Sequence, residues 1–190
     1  MNLFSNKSLR SKRGFTMIEL ILVIAIGVGL GALIVPRAMD TKNMNDAREE
    51  SNKVNEFKTA IESMYQRTID YTGIDDPATF TQVAPSSYER AAGNTALLSI
   101  WKKQVLVTSA TTSGQYKIEY KAVPAGRVCQ EFIRGTQTQG WQVITVNGSD
   151  LGAVGGDTAA DEAPARIVAV CNAGSTSSSA AVDIEFLHQA

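Results

Sequence analysis

The stretch Lys12-Arg13-Gly14-Phe15-Thr16-Met17-Ile18-Glu19-Leu20 joins a basic leader to a long apolar segment. The apolar segment covers residues 15–35 and contains a single charged side chain, that of Glu19. Lipid hydrocarbon disfavours a carboxylate by about 2.5–3.5 kcal/mol on insertion scales. An acid in such a segment therefore indicates a partner that neutralises it, and not only a membrane anchor.

The length and flanks of the apolar segment predict a membrane-spanning helix. A helix over residues 15–35 is roughly 32 Å long, which matches the roughly 30 Å hydrocarbon core of a bilayer. Four basic leader residues without an acid keep the leader cytoplasmic by the positive-inside rule: Lys7, Arg10, Lys12 and Arg13. The segment is too long for a secretory signal peptide, and no small-residue cleavage site follows it. An ordinary signal anchor, with Glu19 near the lipid headgroups, is the plain alternative.

The run around Gly14 resembles the processing site of type IV prepilins: a glycine, an apolar first residue, Thr, two apolar residues and Glu. The resemblance implies that a membrane peptidase, the prepilin peptidase, removes residues 1–14 by cutting between Gly14 and Phe15. It also implies methylation of the new amine of Phe15. In that family the acid at the position of Glu19 is thought to pair with the first-residue amine of a neighbouring subunit, here Phe15.

Three glycines on alternate residues, Gly27, Gly29 and Gly31, are followed by Pro36. Glycine costs a helix about 1 kcal/mol and proline about 3 kcal/mol, so this stretch could unwind locally. The resemblance supports the same expectation, since many pilins carry a proline at this position and their helix can melt before it in the filament. The alternative is that glycine is simply frequent in membrane helices.

Composition argues against several function classes. The formal charge is −1 for the chain and −5 without the four basic leader residues, which disfavours nonspecific nucleic-acid binding. The single histidine, His188, stands apart from any pair of cysteines or recognisable catalytic set. We therefore expect no enzymatic activity, no cofactor and no metal site.

The chain contains two cysteines, Cys129 and Cys171, both on the predicted outer side of the membrane. Because that compartment is oxidising, we expect a disulfide between them. The sequence around the two cysteines resembles the type IVb pilins, in which such a disulfide bounds a variable surface-facing region, here residues 129–171. The short leader and Phe15 as first mature residue depart from that subgroup and match type IVa more closely.

The remaining sequence predicts an α+β fold: a long helix packed on an antiparallel β-sheet, as in type IV pilins. An amphipathic helix is expected over residues 37–70, where apolar residues recur at spacings of three and four. Alternation around a turn predicts a hairpin of strands 104–109 and 115–123. We further expect short helices at 96–101 and 127–134, strands at 141–146, 165–171 and 181–188, and loops at 150–164 and 172–179.

These observations predict four segments: a removed leader (1–14), a transmembrane and assembly helix (15–36), its amphipathic continuation (37–70) and a globular head (71–190). The resemblance implies a pilus subunit that polymerises with itself and serves adhesion, aggregation or cell–cell contact. Its expected partners are the prepilin peptidase, an inner-membrane assembly platform, and a host or neighbouring cell surface. Its expected location is the inner membrane, then an extracellular pilus of a Gram-negative bacterium. A minor pilin or tip adhesin, a conjugative thin-pilus subunit and a type II secretion pseudopilin are the alternatives.

Overall fold

The structure, a computed structural model, describes residues 16–67, 70–110, 114–151, 163–173 and 180–189, with only the backbone for residues 30–38, 94 and 163. The chain divides into two compact units between Thr41 and Lys42. The predicted cleavage site and most of the loops predicted at 150–164 and 172–179 lie outside the described residues.

Helix α1 runs from Met17 to Tyr65 and contributes residues to both units. In the second unit its buried face consists of Ala47, Val54, Phe57 and Ile61. The spacing of seven, three and four residues places these side chains on one side of the helix. The helix ends at Tyr65, earlier than the predicted boundary at residue 70.

A seven-stranded sheet contributes much of the rest of the core. Its strands are β1 (Glu89–Arg90), β2 (Leu97–Leu98), β3 (Gln104–Ser109), β4 (Gln115–Pro124), β5 (Val143–Val146), β6 (Ser149–Asp150) and β7 (Ala181–Gln189). They lie in the order β1-β2-β3-β4-β7-β5-β6, and neighbouring strands are antiparallel. The last described strand, β7, is therefore central and joins the β3–β4 hairpin to the β5–β6 hairpin.

Alternate residues of the central strands face the core. In β4 these are Tyr116, Ile118 and Tyr120, all fully buried. Helix α3, Arg127–Gln137, packs Phe132 against the sheet, with ring centroids 5.0 Å from Tyr120 and 5.6 Å from Phe186. The predicted fold class, a helix on an antiparallel sheet, is confirmed.

Most of the predicted strands and the helix near Cys129 are confirmed. The hairpin of β3 and β4 pairs in register from Val105↔Tyr120 to Ser109↔Tyr116. The strand predicted at 181–188 is β7, and its apolar face of Val182, Ile184 and Phe186 is buried. The strand predicted at 141–146 starts two residues later, at Val143.

The strand predicted at residues 165–171 is wrong, because this segment is helix α4, Ala163–Asn172. The β-branched residues of Ile167-Val168-Ala169-Val170 suggested a strand. In the structure Ile167 and Cys171, four residues apart, are buried while Val168 is exposed, which is a helical pattern. The attachment of Cys171 to α3 fixes this segment beside a helix, and tertiary packing overrides its β-propensity.

The short helix predicted at residues 96–101 is also wrong. Leu97 and Leu98 form β2, which pairs with both β1 and β3. A short helix, α2, instead spans Pro77–Val83. Its start signals were present in the sequence, since Asp76 caps the helix by accepting from the Ala78 N–H at 3.1 Å and proline stands at the first helical position.

Candidate functional site

The described part of the amino-terminal segment begins with Thr16, which forms hydrogen bonds with Glu19 at the start of α1. The Thr16 backbone N–H donates to Glu19 Oε2 at 3.3 Å, and the Glu19 N–H donates to Thr16 Oγ1 at 3.4 Å. The Thr16 hydroxyl also donates to Glu19 Oε2 at 3.4 Å. This reciprocal pair is a capping box, in which a Thr and a Glu three residues apart satisfy otherwise free N–H groups.

The carboxylate of Glu19 has only neutral donors as partners within the part of the chain that the structure describes. Thr16 and Glu19 are both exposed, and Glu19 forms no ion pair with a described residue. A cation close to the box would gain a charge-assisted hydrogen bond, which is roughly twice as strong as a neutral one. The predicted cleavage residues Gly14 and Phe15 lie outside the described residues.

The first turns of α1 expose apolar side chains on every side. Met17 and Ile18 are 81% and 75% exposed, and large apolar side chains continue through Leu20, Ile21, Leu22, Val23, Ile24, Ile26 and Val28. A helix that is apolar all round is one that another protein or lipid surrounds. Among the residues that the structure describes, however, no helix has a stretch sufficiently long and apolar to cross a membrane.

The backbone of α1 is helical through the four residues predicted to give flexibility. A Cβ added at Gly27 or Gly29 would meet nothing within 4 Å. Only the backbone is described for Gly31 and Pro36. Local unwinding of this stretch in a filament stays a prediction.

The predicted disulfide between Cys129 and Cys171 is confirmed. The two Cα atoms are 5.7 Å apart, within the usual range for a disulfide. The bond joins α3 to α4, and the Gly126 N–H donates to the Cys171 carbonyl oxygen at 2.9 Å beside it. Both cysteines are fully buried, so the link belongs to the core of the second unit.

The sequence reasoning missed two groups, the buried carboxylate of Glu50 and the half-buried imidazole of His188. Glu50 of α1 is fully buried, and its Oε2 accepts from the Ile100 N–H at 3.1 Å and lies 3.4 Å from Lys53 Nζ. Burial raises the pKa of Glu50, although Lys53 and the Ile100 N–H oppose the increase. His188, which the sequence left without a partner, lies with Nε2 3.0 Å from Glu62 Oε1. The one sequence signal for the burial of Glu50 was its spacing, since it lies three residues after Ala47 and four before Val54 and therefore shares a face of the helix with them.

The described residues contain no group of three or more His, Cys, Asp or Glu side chains that could hold a metal ion. Ion pairs instead connect elements of the head, such as Arg48–Glu131 between α1 and α3 and Lys121–Asp183 between β4 and β7. The arrangement thus combines a disulfide-linked head with an exposed apolar helix that starts at a carboxylate. That combination is the one that the resemblance to the type IV pilins, a class of structural filament proteins, implies.

Comparisons with known proteins agree with this assignment. A family model described as PilS N terminal matches residues 44–183, and a second, described as Prokaryotic N-terminal methylation motif, matches residues 9–34. The chain belongs to the type IV pilin family represented by these two descriptions. No curated protein matches the chain.

A solved structure supports the same fold. The crystal structure of type IV b pilin from Salmonella typhi is similar to this chain with a TM-score of 0.52 and 17% sequence identity. The match covers 73% of this chain and 96% of that chain. At this level of identity the likeness establishes the fold alone.

Proposed function

We propose that this chain is the repeating subunit of a type IVb-like pilus, exported from a Gram-negative cell. In this proposal the prepilin peptidase cuts between Gly14 and Phe15, and the amine of Phe15 is methylated. The subunit waits in the inner membrane, enters an assembly platform there, and polymerises through its apolar helix. The filament then contacts other cells, by adhesion or aggregation.

The observation that supports this proposal is the position of Glu19 at the start of an exposed apolar helix, inside the matched methylation motif of residues 9–34. Its carboxylate is held by Thr16 through neutral donors. A neighbour's free amine is a stronger donor, because it carries a positive charge. Transfer of Glu19 to that amine would fix the register of one subunit on the next, while apolar helices replace lipid around each other.

Substitution of Glu19 separates its charge from its role in capping the helix. We expect Glu19→Gln to lower the yield of sheared filaments about tenfold or more, because hydrogen bonds to charged groups contribute roughly 1.5–3 kcal/mol. Glutamine can still complete the capping box with Thr16, so the helix start is retained. The measurement is the amount of subunit in the sheared surface fraction relative to the membrane fraction.

Asp40→Asn is a matched control, because it neutralises an exposed carboxylate of the same helix outside the apolar run. It should leave the filament yield unchanged. The wild-type material should begin at Phe15 and be heavier by one methyl group in intact-mass analysis. Normal filaments from Glu19→Gln would refute the pairing, and native filaments that retain residues 1–14 would refute the processing.

A minor pilin or a pseudopilin would carry the same amino-terminal features. Abundance separates these alternatives, because the repeating subunit must dominate the mass of the sheared filaments. A chain found there only at trace level would instead be a minor component.

A further inference from the structure

Three side chains of the head connect α1 with the sheet at the end of β7. Lys58 Nζ donates to the Gln139 carbonyl oxygen at 2.5 Å and lies 3.6 Å from Glu62 Oε1. The same Glu62 oxygen lies 3.0 Å from His188 Nε2. Lys58 and Glu62 are one helical turn apart on α1, so a single surface of the helix holds both the segment before β5 and the last described strand.

The geometry specifies which form of His188 fits. A hydrogen bond from Nε2 to the Glu62 carboxylate requires the proton to be on Nε2, which leaves Nδ1 as an acceptor in the neutral ring. Nδ1 is buried and has no hydrogen-bond partner among the described residues. Protonation would therefore add an N–H at Nδ1 for which no described residue offers an acceptor in hydrogen-bonding geometry, and a buried donor without a partner is costly. The Gly140 carbonyl favours the added proton, but it has the smallest influence on the pKa of His188.

The groups that face His188 come from three parts of the head. Lys58 and Glu62 belong to α1, and the Gly140 carbonyl and the Trp141 ring to the segment before β5. Tyr116 of β4 lies 5.2 Å away between ring centroids and contacts Tyr71. Burial raises the pKa of both tyrosines, so neither adds a charge near neutral pH.

Burial and the Lys58 charge lower the pKa of His188, and together they outweigh Glu62 and the Gly140 carbonyl, which favour the protonated ring. The Glu62 carboxylate cannot reverse this result, because it is shared with Lys58 and is partly exposed to water. The neutral imidazole is thus the form that the folded head accommodates at neutral pH.

We propose that Lys58, Glu62 and His188 form an acid-sensitive latch between α1 and β7, which holds at neutral pH and loosens in mildly acidic surroundings. The latch lies within the head and does not depend on whether the chain polymerises. When the imidazole takes up a proton, the favoured response is opening of the contact, because the freed ring can be hydrated. Opening would release the end of the central strand from the helix.

The pH window follows from linkage. The ordinary pKa of histidine is about 6.5, and that of folded His188 lies below it. At a pH above the pKa of His188 in the unfolded chain, the imidazole is neutral in both the folded and the unfolded state. The stabilisation by the latch is then fully present. As the pH falls through the folded pKa, the unfolded or opened state binds more protons and the stabilisation is lost.

The chain has one histidine, so its ring can be titrated by NMR without assignment in the tag-free, full-length protein in detergent. The expected midpoint lies below that of a histidine-containing peptide in the same detergent. Lys58→Gln should raise the midpoint, since it removes a repelling charge, and Glu62→Gln should lower it further. A wild-type midpoint at or above the peptide value, or variant shifts of the opposite sign, would overturn the proposal.

Hydrogen exchange tests the loosening itself. Between pH 7 and pH 5, protection of the β7 amides should fall relative to the β3 amides, which serve as an internal reference for the intrinsic pH effect. His188→Gln keeps a donor for Glu62 but cannot titrate, so its β7 protection should not change relative to β3. A parallel fall in wild type and variant would refute the latch, and the titration decides alone if this variant fails to fold.

Discussion

Gly135 of α3 allows two helices of the head to approach closely. A Cβ added at this position would lie 2.4 Å from Ser51 Oγ and 2.8 Å from Ser51 Cβ. Real Cβ atoms do not approach other atoms so closely, so one helix would have to shift. Beside this contact Arg48 Nε donates to Glu131 Oε1 at 2.6 Å, and the ion pair fixes the same two helices.

We expect Gly135→Ala to destabilise the head. Overpacking costs about 1–3 kcal/mol, and the gain of alanine over glycine in a helix, about 1 kcal/mol, offsets only part of it. Thermal unfolding of the purified protein should show a lower midpoint. Arg134→Ala, at the exposed neighbouring position, should have little effect.

Ser51→Gly provides a second check on this contact, because it removes both atoms that a new methyl group would meet. The double variant should therefore lose less stability than the sum of the two single changes. Additive losses would mean that the two positions do not interact.

A bulge in β4 places Ala122 in an unusual backbone conformation. Its φ is +49°, and the pairing with β7 shifts between Tyr120 and Val123. Asp183 holds the bulge, since its Oδ1 accepts from the Ala122 N–H at 2.9 Å and its Oδ2 lies 3.1 Å from Lys121 Nζ. Burial by itself would raise the pKa of Asp183, but the N–H and Lys121 outweigh it and the pKa is lowered.

Ala122→Gly should stabilise the protein slightly or leave its stability unchanged. Relief of the left-handed backbone is worth about 1–2 kcal/mol, and the greater freedom of glycine in the unfolded chain removes about 0.4–1 kcal/mol of it. Ala125→Gly, at an ordinary φ, should only destabilise. The urea midpoints of the two variants make the comparison, and a loss at residue 122 as large as that at residue 125 would argue against strain.

At the scale of elements, α4 depends strongly on its disulfide. Its buried side chains among the described residues are Ile167 and Cys171, a small apolar surface for a helix of ten residues. The bond closes a loop between residues 42 positions apart, for which chain entropy predicts about 4 kcal/mol. The bond, more than apolar burial, therefore keeps this helix against α3.

Replacing both cysteines by serine should cost about 2–5 kcal/mol and expose α4 amides to hydrogen exchange before those of β4. Val168→Ala is the control on the same helix, because Val168 is partly exposed and its truncation should change little. Equal exchange in α4 with and without the disulfide would show that packing alone holds the helix.

A helix or strand could be predicted from the sequence where its local residue pattern agreed with the packing that it adopts in the folded head. In β4 and β7 the alternation of polar and apolar residues coincides with the two faces of the sheet, so both strands were predicted. In residues 165–171 the β-branched side chains pointed to a strand, whereas the segment forms a helix that buries Ile167 and Cys171, four residues apart. No single-residue preference contains that information, because the surface against which these side chains pack comes from residues far away in sequence.

For the whole molecule, the amino-terminal motif and the α+β class could be predicted because they rest on consecutive residues and simple periodicity. The hydrogen bond of Glu50 with the Ile100 N–H and the contact of His188 with Glu62 could not, since each joins α1 to a segment at least 50 residues away. Such contacts depend on which residues of the helix lie opposite which residues of the sheet. This arrangement can be predicted only after the order of the strands is known.

The strand order also constrains biosynthesis. Residues 181–189 form the central bridge between the two hairpins, so a nascent chain that lacks them holds two separate pieces of sheet with open edges. Open edges of this kind pair readily with other chains. A chain in which residues 181–189 have not yet paired therefore exposes two strand edges, those of β4 and β5, to pairing with other chains.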